Sequence, residues 1–150
     1  ITRKILHRLK FDNDTIYKVS RIVLYHDQQI GMTPAGVRKA VNRMGEDIFP
    51  LLFPVRRADI YAQSTYQRDE KLEKLETIQA IYQEICSRKE AVSLKGLAVN
   101  GADLIALGLQ PGKEIGMLLG KLLEQVLEDP SLNSKEQLMR IAREQIGQPF

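Results

Sequence analysis

The chain has 150 residues, of which 43% are hydrophobic and 27% charged, with a formal net charge of +3 and one cysteine. This length is enough for one good core or two small ones, and the composition is that of an ordinary globular protein. No apolar run approaches the roughly 20 residues that span a bilayer, which excludes a membrane-spanning protein. Cys86 has no internal disulfide partner, and its apolar neighbours predict a buried, inert thiol in a reducing, cytoplasmic setting.

Positive charge is concentrated in the first third of the chain. Residues Ile1 to Arg57 contain 11 Lys and Arg against 5 Asp and Glu, a net +6, whereas the remainder contains 11 against 14, a net −3. A surface of positive sign attracts a polyanion, through phosphate contacts that weaken as salt rises. A solvated helical face explains the charge alone equally well, so other features must decide between the two.

Apolar residues recur three and four positions apart along the chain, without long alternation at period two, which predicts an all-α fold. The stripe from Ile1 to Leu9 predicts a first helix that faces inward. The cluster Asp12 to Asp14 is suited to the N-cap of a second helix, which Gly31 follows. Thr33 and Pro34 then predict the N-cap and first residue of a third helix.

The third helix has an apolar stripe, Val37, Val41 and Met44, that is predicted to be buried. Its polar side is predicted to stay in water, and comprises Arg38, Lys39, Asn42 and Arg43. Gly45 ends this helix. Pro50 and Pro54 forbid one continuous helix through the next apolar segment, so helical spacing should resume at Arg56.

A long amphipathic helix is predicted from about Arg68 to Arg88, and weaker periodicity from Glu90 to Val99 predicts a connection. We therefore expect two packed helical units, a body over residues 1–90 and a tail over 91–150. In the tail, Asn100 and Asp103 should begin a short helix that Gly108 ends. Pro111 should open the next helix.

His26, Asp27 and Asp59 are weak candidates for a metal site of the kind found in helical phosphohydrolases. Such a site needs several imidazoles and carboxylates that converge, and the chain has two histidines in total. His26 is more typical of a helix C-terminus, where the dipole favours it, and Asp59 of a salt-bridge partner. No P-loop, dinucleotide motif or pair of strand-end carboxylates is present, so we expect no self-contained catalytic site.

Gly112, Gly116 and Gly120 recur every fourth residue, which predicts a bare stripe on one helix. Glycine in a helix is less favourable than alanine by roughly 1 kcal/mol, so something should approach this stripe closely. The favoured candidate is the preceding helix. The alternative is nucleic-acid backbone, bound by free amides at the helix N-terminus together with Lys113.

Two groups of segments resemble, in order, the helical body and the RNA-binding tail of bacterial CCA-adding tRNA nucleotidyltransferases, in the poly(A) polymerase family. The body group is Arg8 to Phe11, Val23 to Asp27, Gly45 to Asp47, Arg57 to Ile60, and Ala62 with Gln63. The tail group is Leu94 to Leu97, Asn100 to Leu104, Gly108 to Gly112, and Ile115 to Leu119.

The resemblance implies a parent enzyme that adds C, C and A to tRNA 3′ ends from CTP and ATP, with Mg²⁺ held by aspartates of a catalytic head. We expect that head to precede Ile1, and this chain alone to be inactive. His26 and Asp59 resemble the later His and final Asp of the HD metal phosphohydrolase pattern, whose main His-Asp dyad would also precede Ile1. The body is therefore expected to be HD-like and truncated at its N-terminus.

The leading hypothesis is that the chain supports the acceptor arm and elbow of tRNA, recognised by shape. The residues predicted to contact RNA backbone are Arg38, Lys39, Arg43, Arg56, Arg57 and Lys113. A second hypothesis is a metal-dependent phosphohydrolase built around His26, Asp27 and Asp59. A third is a helical oligomerisation module, such as a homodimer, in which Leu118, Leu119, Leu122 and Leu123 face another chain.

Overall fold

The computed structural model describes residues 1–146, and this range contains no β-strand, which confirms the all-α prediction. The α-helices of this range are α1 (Thr2–Arg8), α2 (Asn13–Tyr25), α3 (Pro34–Met44), α4 (Leu52–Ala62), α5 (Arg68–Ser87), α6 (Gly101–Ala106), α7 (Lys113–Glu128) and α8 (Lys135–Ile146). Short 3-10 turns lie at Phe49–Leu51, Leu94–Gly96 and Pro130–Leu132. The chain divides into two compact units, unit 1 (Ile1–Glu84) and unit 2 (Ile85–Phe150). Packing thus divides the chain within the last turns of α5, whereas periodicity located the boundary after that helix, at residue 90.

Side-chain caps fix the starts of α2 and α3. The Asp12 carboxylate accepts a hydrogen bond from the Thr15 amide at 2.9 Å, and the Thr33 hydroxyl accepts one from the Gly36 amide at 3.1 Å. Pro34 follows Thr33 as the first residue of α3, as predicted. These short polar side chains satisfy amides that have no partner inside the helix.

Gly45 ends α3 in a backbone conformation that a side chain would strain. Its φ is +102°, and a Cβ at this position would lie 2.7 Å from the Asp47 carboxylate. Because glycine adopts positive φ without a steric penalty, the chain turns here directly into the next segment.

Aromatic packing holds the turn Phe49–Leu51 and α4 against α5 in unit 1. The Phe49 ring meets that of Phe53 edge-on, with centroids 5.5 Å apart, and lies 5.0 Å from that of Tyr82. Helix α4 begins at Leu52, earlier than predicted, and contains Pro54 in its first turn. A proline is tolerated there because first-turn amides need no intrahelical partner.

Two burial predictions for apolar side chains are wrong. Helix α1 has no buried residue, and Ile5 and Leu9 are 43% and 58% exposed. The thiol of Cys86 is exposed as well. Helical spacing gave α1 an apolar stripe, but α2 covers too little of it to bury any side chain.

Unit 2 packs α6, α7 and α8 around a shared core. The predicted start of α6 is confirmed, because Asn100 and Asp103 form a reciprocal capping box. Helix α7 begins at Lys113 with Gly112 as its N-cap, so Pro111 precedes the helix and does not open it. Leu118 and Leu122 lie in the core of this unit. The hypothesis that they face another chain is therefore wrong for these two side chains.

Candidate nucleic-acid interface

The cationic side of α3 is smaller than the sequence predicted. Lys39, Asn42 and Arg43 are exposed, but Arg38 is only 4% exposed. The expectation that Arg38 stays in water is wrong because the buried face of α3 is wider than its apolar stripe. Lys39 and Arg43 remain as the two cations that α3 presents to solvent.

Arg56 is committed to contacts within unit 1. Its Nη2 donates to the carbonyl oxygen of Tyr25 at 3.2 Å and to that of Gln28 at 2.5 Å. Burial lowers the pKa of the guanidinium, and the nearby Asp27 carboxylate opposes that shift. Arg56 therefore holds the segment that follows α2 through the Nη2 of its guanidinium.

Arg57 joins α4 to α5. Its guanidinium lies 3.3 Å from the Glu76 carboxylate and donates to the Gln79 amide oxygen at 3.4 Å. The ion pair offsets the positive charge of Arg57, which weakens its attraction for a phosphate.

Lys113 is exposed at the first turn of α7, next to an open edge of that helix. A Cβ built at Gly112, Gly116 or Gly120 would meet no described atom within 4 Å. The expectation that the preceding helix packs on this glycine stripe is therefore wrong. Helix α6 instead approaches α7 at Ile115, whose Cγ2 would lie 3.3 Å from a Cβ at Gly101.

The predicted metal ligands His26, Asp27 and Asp59 line one pocket of unit 1, with a volume of about 410 Å³. We call it the unit 1 pocket. It is bounded by the segment after α2, by α4 and by α5. The imidazole Nε2 of His26 lies 3.3 Å from the Asp27 carboxylate, and its Nδ1 lies 2.8 Å from the carbonyl oxygen of Val23. Asp59 accepts a hydrogen bond from the Gln63 amide at 2.7 Å.

The unit 1 pocket brings these three side chains to one place without giving them the arrangement of a metal site. In residues 1–146, no group of three or more His, Cys, Asp and Glu side chains could hold a metal ion. The three side chains therefore line one pocket, but they do not converge as the ligands of a metal ion would.

Sequence reasoning missed the cations that α5 contributes to this pocket, Lys71 and Lys74. Because the two lysines are three residues apart, they lie on one face of α5, and the helical periodicity of the sequence could have predicted this. The sequence does not show that this face of α5 meets α4 and the segment that follows α2.

Arg21 was also missed. Its Nη2 donates to the carbonyl oxygens of Met44 at 2.9 Å and Arg43 at 3.3 Å, and its guanidinium lies 4.6 Å from the centroid of the Tyr25 ring. This cation donates hydrogen bonds to carbonyls at the C-terminus of α3. It therefore supports the last turn of that helix, which carries Arg43.

Comparisons with known proteins assign a family to this set of helices. In the part of the chain that the structure describes, no helix is both long and apolar enough to cross a bilayer. Searches of curated proteins and of solved structures gave no match. A model of the family described as tRNA nucleotidyltransferase domain 2 matches residues 2–142. The chain therefore belongs to the tRNA nucleotidyltransferase domain 2 family.

Proposed function

We propose that this chain is the tRNA-holding portion of a CCA-adding tRNA nucleotidyltransferase, in which nucleotides are added on a catalytic domain that the chain does not contain. The family match over residues 2–142 is the observation that carries the proposal. The positive field of residues 1–57 supports it, because a net +6 favours a polyanion as the partner.

The proposed contacts on unit 1 are made by Lys39 and Arg43. Both side chains are exposed on α3, and Arg21 supports the end of the helix that presents them. Arg38 and Arg56 are left out of the proposed interface because Arg38 is buried and Arg56 is bonded to backbone carbonyls. Duplex RNA is read mainly through its phosphates and 2′-hydroxyls, so this surface would bind tRNAs with little preference for sequence.

The proposed contact on unit 2 is made by the start of α7. The N-cap Gly112 provides no side-chain hydrogen bond to the first amides of the helix, and Lys113 follows it. Free amides and the helix dipole favour a phosphate at such an end. The open glycine edge leaves room for a sugar-phosphate backbone, which a row of larger side chains would hold further away.

Magnesium, CTP and ATP belong, in this proposal, to the catalytic domain. No described residues of this chain form a group that fits a metal ion, so we derive no catalytic step on it. The role of the chain is to bind and orient the tRNA and thereby to bring its 3′ end to the separate active site.

A titration of the whole chain with tRNA, at several salt concentrations, tests the proposal. We expect saturable binding that exceeds binding to an unstructured acidic polymer, and a slope of log affinity against log salt that falls by about 1 for each lost phosphate contact. Arg43→Gln and Lys113→Gln should each reduce the slope. Lys18→Gln is the matched control, because Lys18 is already paired with Asp14 at 2.7 Å. Equal affinity for tRNA and the acidic polymer would contradict the proposal.

A further inference from the structure

Helix α1 leaves an apolar stripe open to solvent. None of the residues of α1 is buried, and Ile5, together with Leu9 at the C-cap, lies on one face with exposed fractions of 43% and 58%. We call these two residues the α1 stripe. Phe11, just after the helix, is 48% exposed as well. Burial of these side chains against another apolar surface would be favourable, because it would remove them from water.

A row of cations runs beside the α1 stripe. Lys4 and Arg8 each precede a residue of the stripe by one position, so they lie one turn apart along the same edge. Both side chains are exposed, and neither has an ion-pair partner among the residues that the structure describes. Residues 1–11 contain four Lys and Arg and no Asp or Glu, so no acidic neighbour in this segment offsets their charge.

The end of α1 and one side of it are held in place. The Phe11 amide donates to the Leu6 carbonyl at 3.1 Å, and the Lys10 amide donates to the His7 carbonyl at 3.0 Å. These bonds close the helix and fix the chain that follows it. Thr2 and Leu6 are half-buried, and they lie on the side of the stripe away from the cations. The α1 stripe is therefore bounded by one covered side and one cationic side.

The stability of α1 depends on its surroundings. Isolated helices of fewer than about 12 residues are marginal in water, and α1 has seven residues. Because α1 buries none of its own side chains, a partner that covers the stripe would also stabilise the helix. Hydrogen exchange at the amides of α1 should therefore report whether the stripe is covered.

The charge beside the stripe distinguishes the surfaces that could cover it. A second α1 in an antiparallel pair would bring Lys4 and Arg8 against the same cations. An RNA backbone would neutralise the cations but would leave the aliphatic side chains without an apolar partner. A bilayer surface binds helices with a broad apolar face, whereas α1 is roughly 10 Å long and its stripe has two side chains. A helix whose apolar seam is flanked by Asp or Glu matches both the stripe and the cations.

We propose that the α1 stripe docks an acidic amphipathic helix of another polypeptide. Apolar side chains of the partner pack on Ile5, Leu9 and Phe11, and its carboxylates pair with Lys4 and Arg8. This surface uses none of the residues assigned to tRNA, and the proposal does not depend on that assignment.

The test is a titration of the whole chain with a synthetic peptide of about three heptads, with leucine at positions a and d and glutamate at e and g. The comparison probes are the same peptide with lysine at e and g, polyglutamate of equal length, phosphatidylglycerol vesicles and tRNA. We expect saturable binding of the glutamate peptide, at least about tenfold tighter than binding of the lysine peptide or of polyglutamate. The bound peptide should also slow hydrogen exchange at the amides of α1.

Variants separate the α1 stripe from general stickiness and charge. Leu9→Ser should weaken binding of the glutamate peptide roughly tenfold. Its matched control is Ile105→Ser on α6, where the side chain is 45% exposed but lies outside the stripe. Lys4→Gln combined with Arg8→Gln should weaken binding roughly fivefold at low salt and less at high salt. Lys18→Gln and Ile105→Ser should each change binding less than about twofold.

Three results would overturn the docking surface: no saturable binding of the glutamate peptide, equal losses for Leu9→Ser and Ile105→Ser, or binding of tRNA or vesicles alone. A loss of tRNA binding alone in Lys4→Gln with Arg8→Gln would assign this face to RNA. A loss of vesicle binding alone in Leu9→Ser would assign it to a lipid surface. The proposed function fails separately. If Arg43→Gln leaves tRNA binding unchanged while Leu9→Ser weakens peptide binding, the docking surface stands and the tRNA surface does not.

Discussion

Helices α1 and α7 both have an apolar stripe at helical spacing, but only the stripe of α7 is buried. Leu118 and Leu122 of α7 are 0% exposed, whereas Ile5 of α1 and Leu9 at its C-cap remain about half exposed. The two sequences predict the same kind of amphipathic helix. The two helices differ in how many other helices pack against their apolar stripes.

Unit 2 covers α7 with helices on more than one side. Both α6 and α8 contact α7 and each other, and the ion pair between Asp103 and Lys135, at 2.7 Å, ties α6 to the start of α8. Helix α1 has its main contact with α2. Periodicity therefore identifies the apolar face of a helix, and tertiary packing decides whether that face is buried.

The largest effect that tests this comparison is expected from Leu122→Ala in α7. Deletion of a fully buried leucine side chain should destabilise unit 2 by about 2–5 kcal/mol, because the cavity can collapse only in part. Native-state hydrogen exchange, resolved at the amides of α7 and α8, measures the loss where it occurs.

Ile5→Ala is the matched control for that experiment. Ile5 occupies an equivalent position on the apolar stripe of α1 but is 43% exposed, so its truncation should cost less than about 1 kcal/mol. Equal losses for the two variants would contradict the distinction between a covered and an uncovered stripe.

A smaller loss is expected from Asn100→Ala at the start of α6. The Asn100 carboxamide accepts from the Ala102 amide at 2.9 Å and from the Asp103 amide at 3.3 Å. Loss of this cap should cost about 1 kcal/mol and should loosen α6 from α7. Asn100→Asp keeps an acceptor at the same place and should restore most of the stability. The α6 amides should not exchange hydrogen at the same rate in Asn100→Ala as in the parent if the cap matters. Equal rates would show that the Asn100 cap does not help α6 to cover α7.

An opposite change is expected from Gly116→Ala on the uncovered edge of α7. A Cβ there meets no described atom within 4 Å, so the substitution should stabilise the helix by roughly 0.5–1 kcal/mol. Thermal unfolding followed by circular dichroism measures this gain. If the glycine edge receives RNA backbone, the same variant should bind tRNA less tightly although it is more stable. A loss of stability would mean that another group packs on this edge.

The parts of the fold that local chemistry decides could be predicted from the sequence. Thr33 with Pro34 and Asn100 with Asp103 begin their helices as predicted, because a cap depends on residues two or three positions away. Arg38 and Arg56 could not be predicted in the same way. Their burial and hydrogen bonds depend on which helix lies opposite, and a cation that binds phosphate and one that binds a carbonyl have the same sequence signature.

The same limit applies to the unit 1 pocket. His26 and Asp59 could be singled out because a His-Asp pattern is visible in the sequence, and the structure does bring them to one pocket. Lys71 is unremarkable within an amphipathic helix. Its side chain lines the pocket and donates a hydrogen bond to Gln63, eight residues earlier, across the turn between α4 and α5.

The weakest expected effect concerns pH and the tie between α6 and α8. Hydrogen bonding to Lys135, together with a hydrogen bond from the Asn100 amide, holds the pKa of Asp103 below its ordinary value of 3.8. A carboxyl group whose pKa is lower in the folded state stabilises the protein above its unfolded pKa, and this contribution is lost as the pH falls through 3.8 towards the folded value. Urea unfolding between about pH 5 and about pH 2 should show this loss of stability, and Asp103→Asn should flatten the pH dependence within unit 2.

Lys135→Gln removes the cation that is bonded to Asp103 and leaves the carboxyl group. It should therefore raise the pKa of Asp103 towards 3.8 and reduce the pH dependence in part. An unchanged pH dependence in both variants would mean that α8 is held against α6 by apolar packing alone.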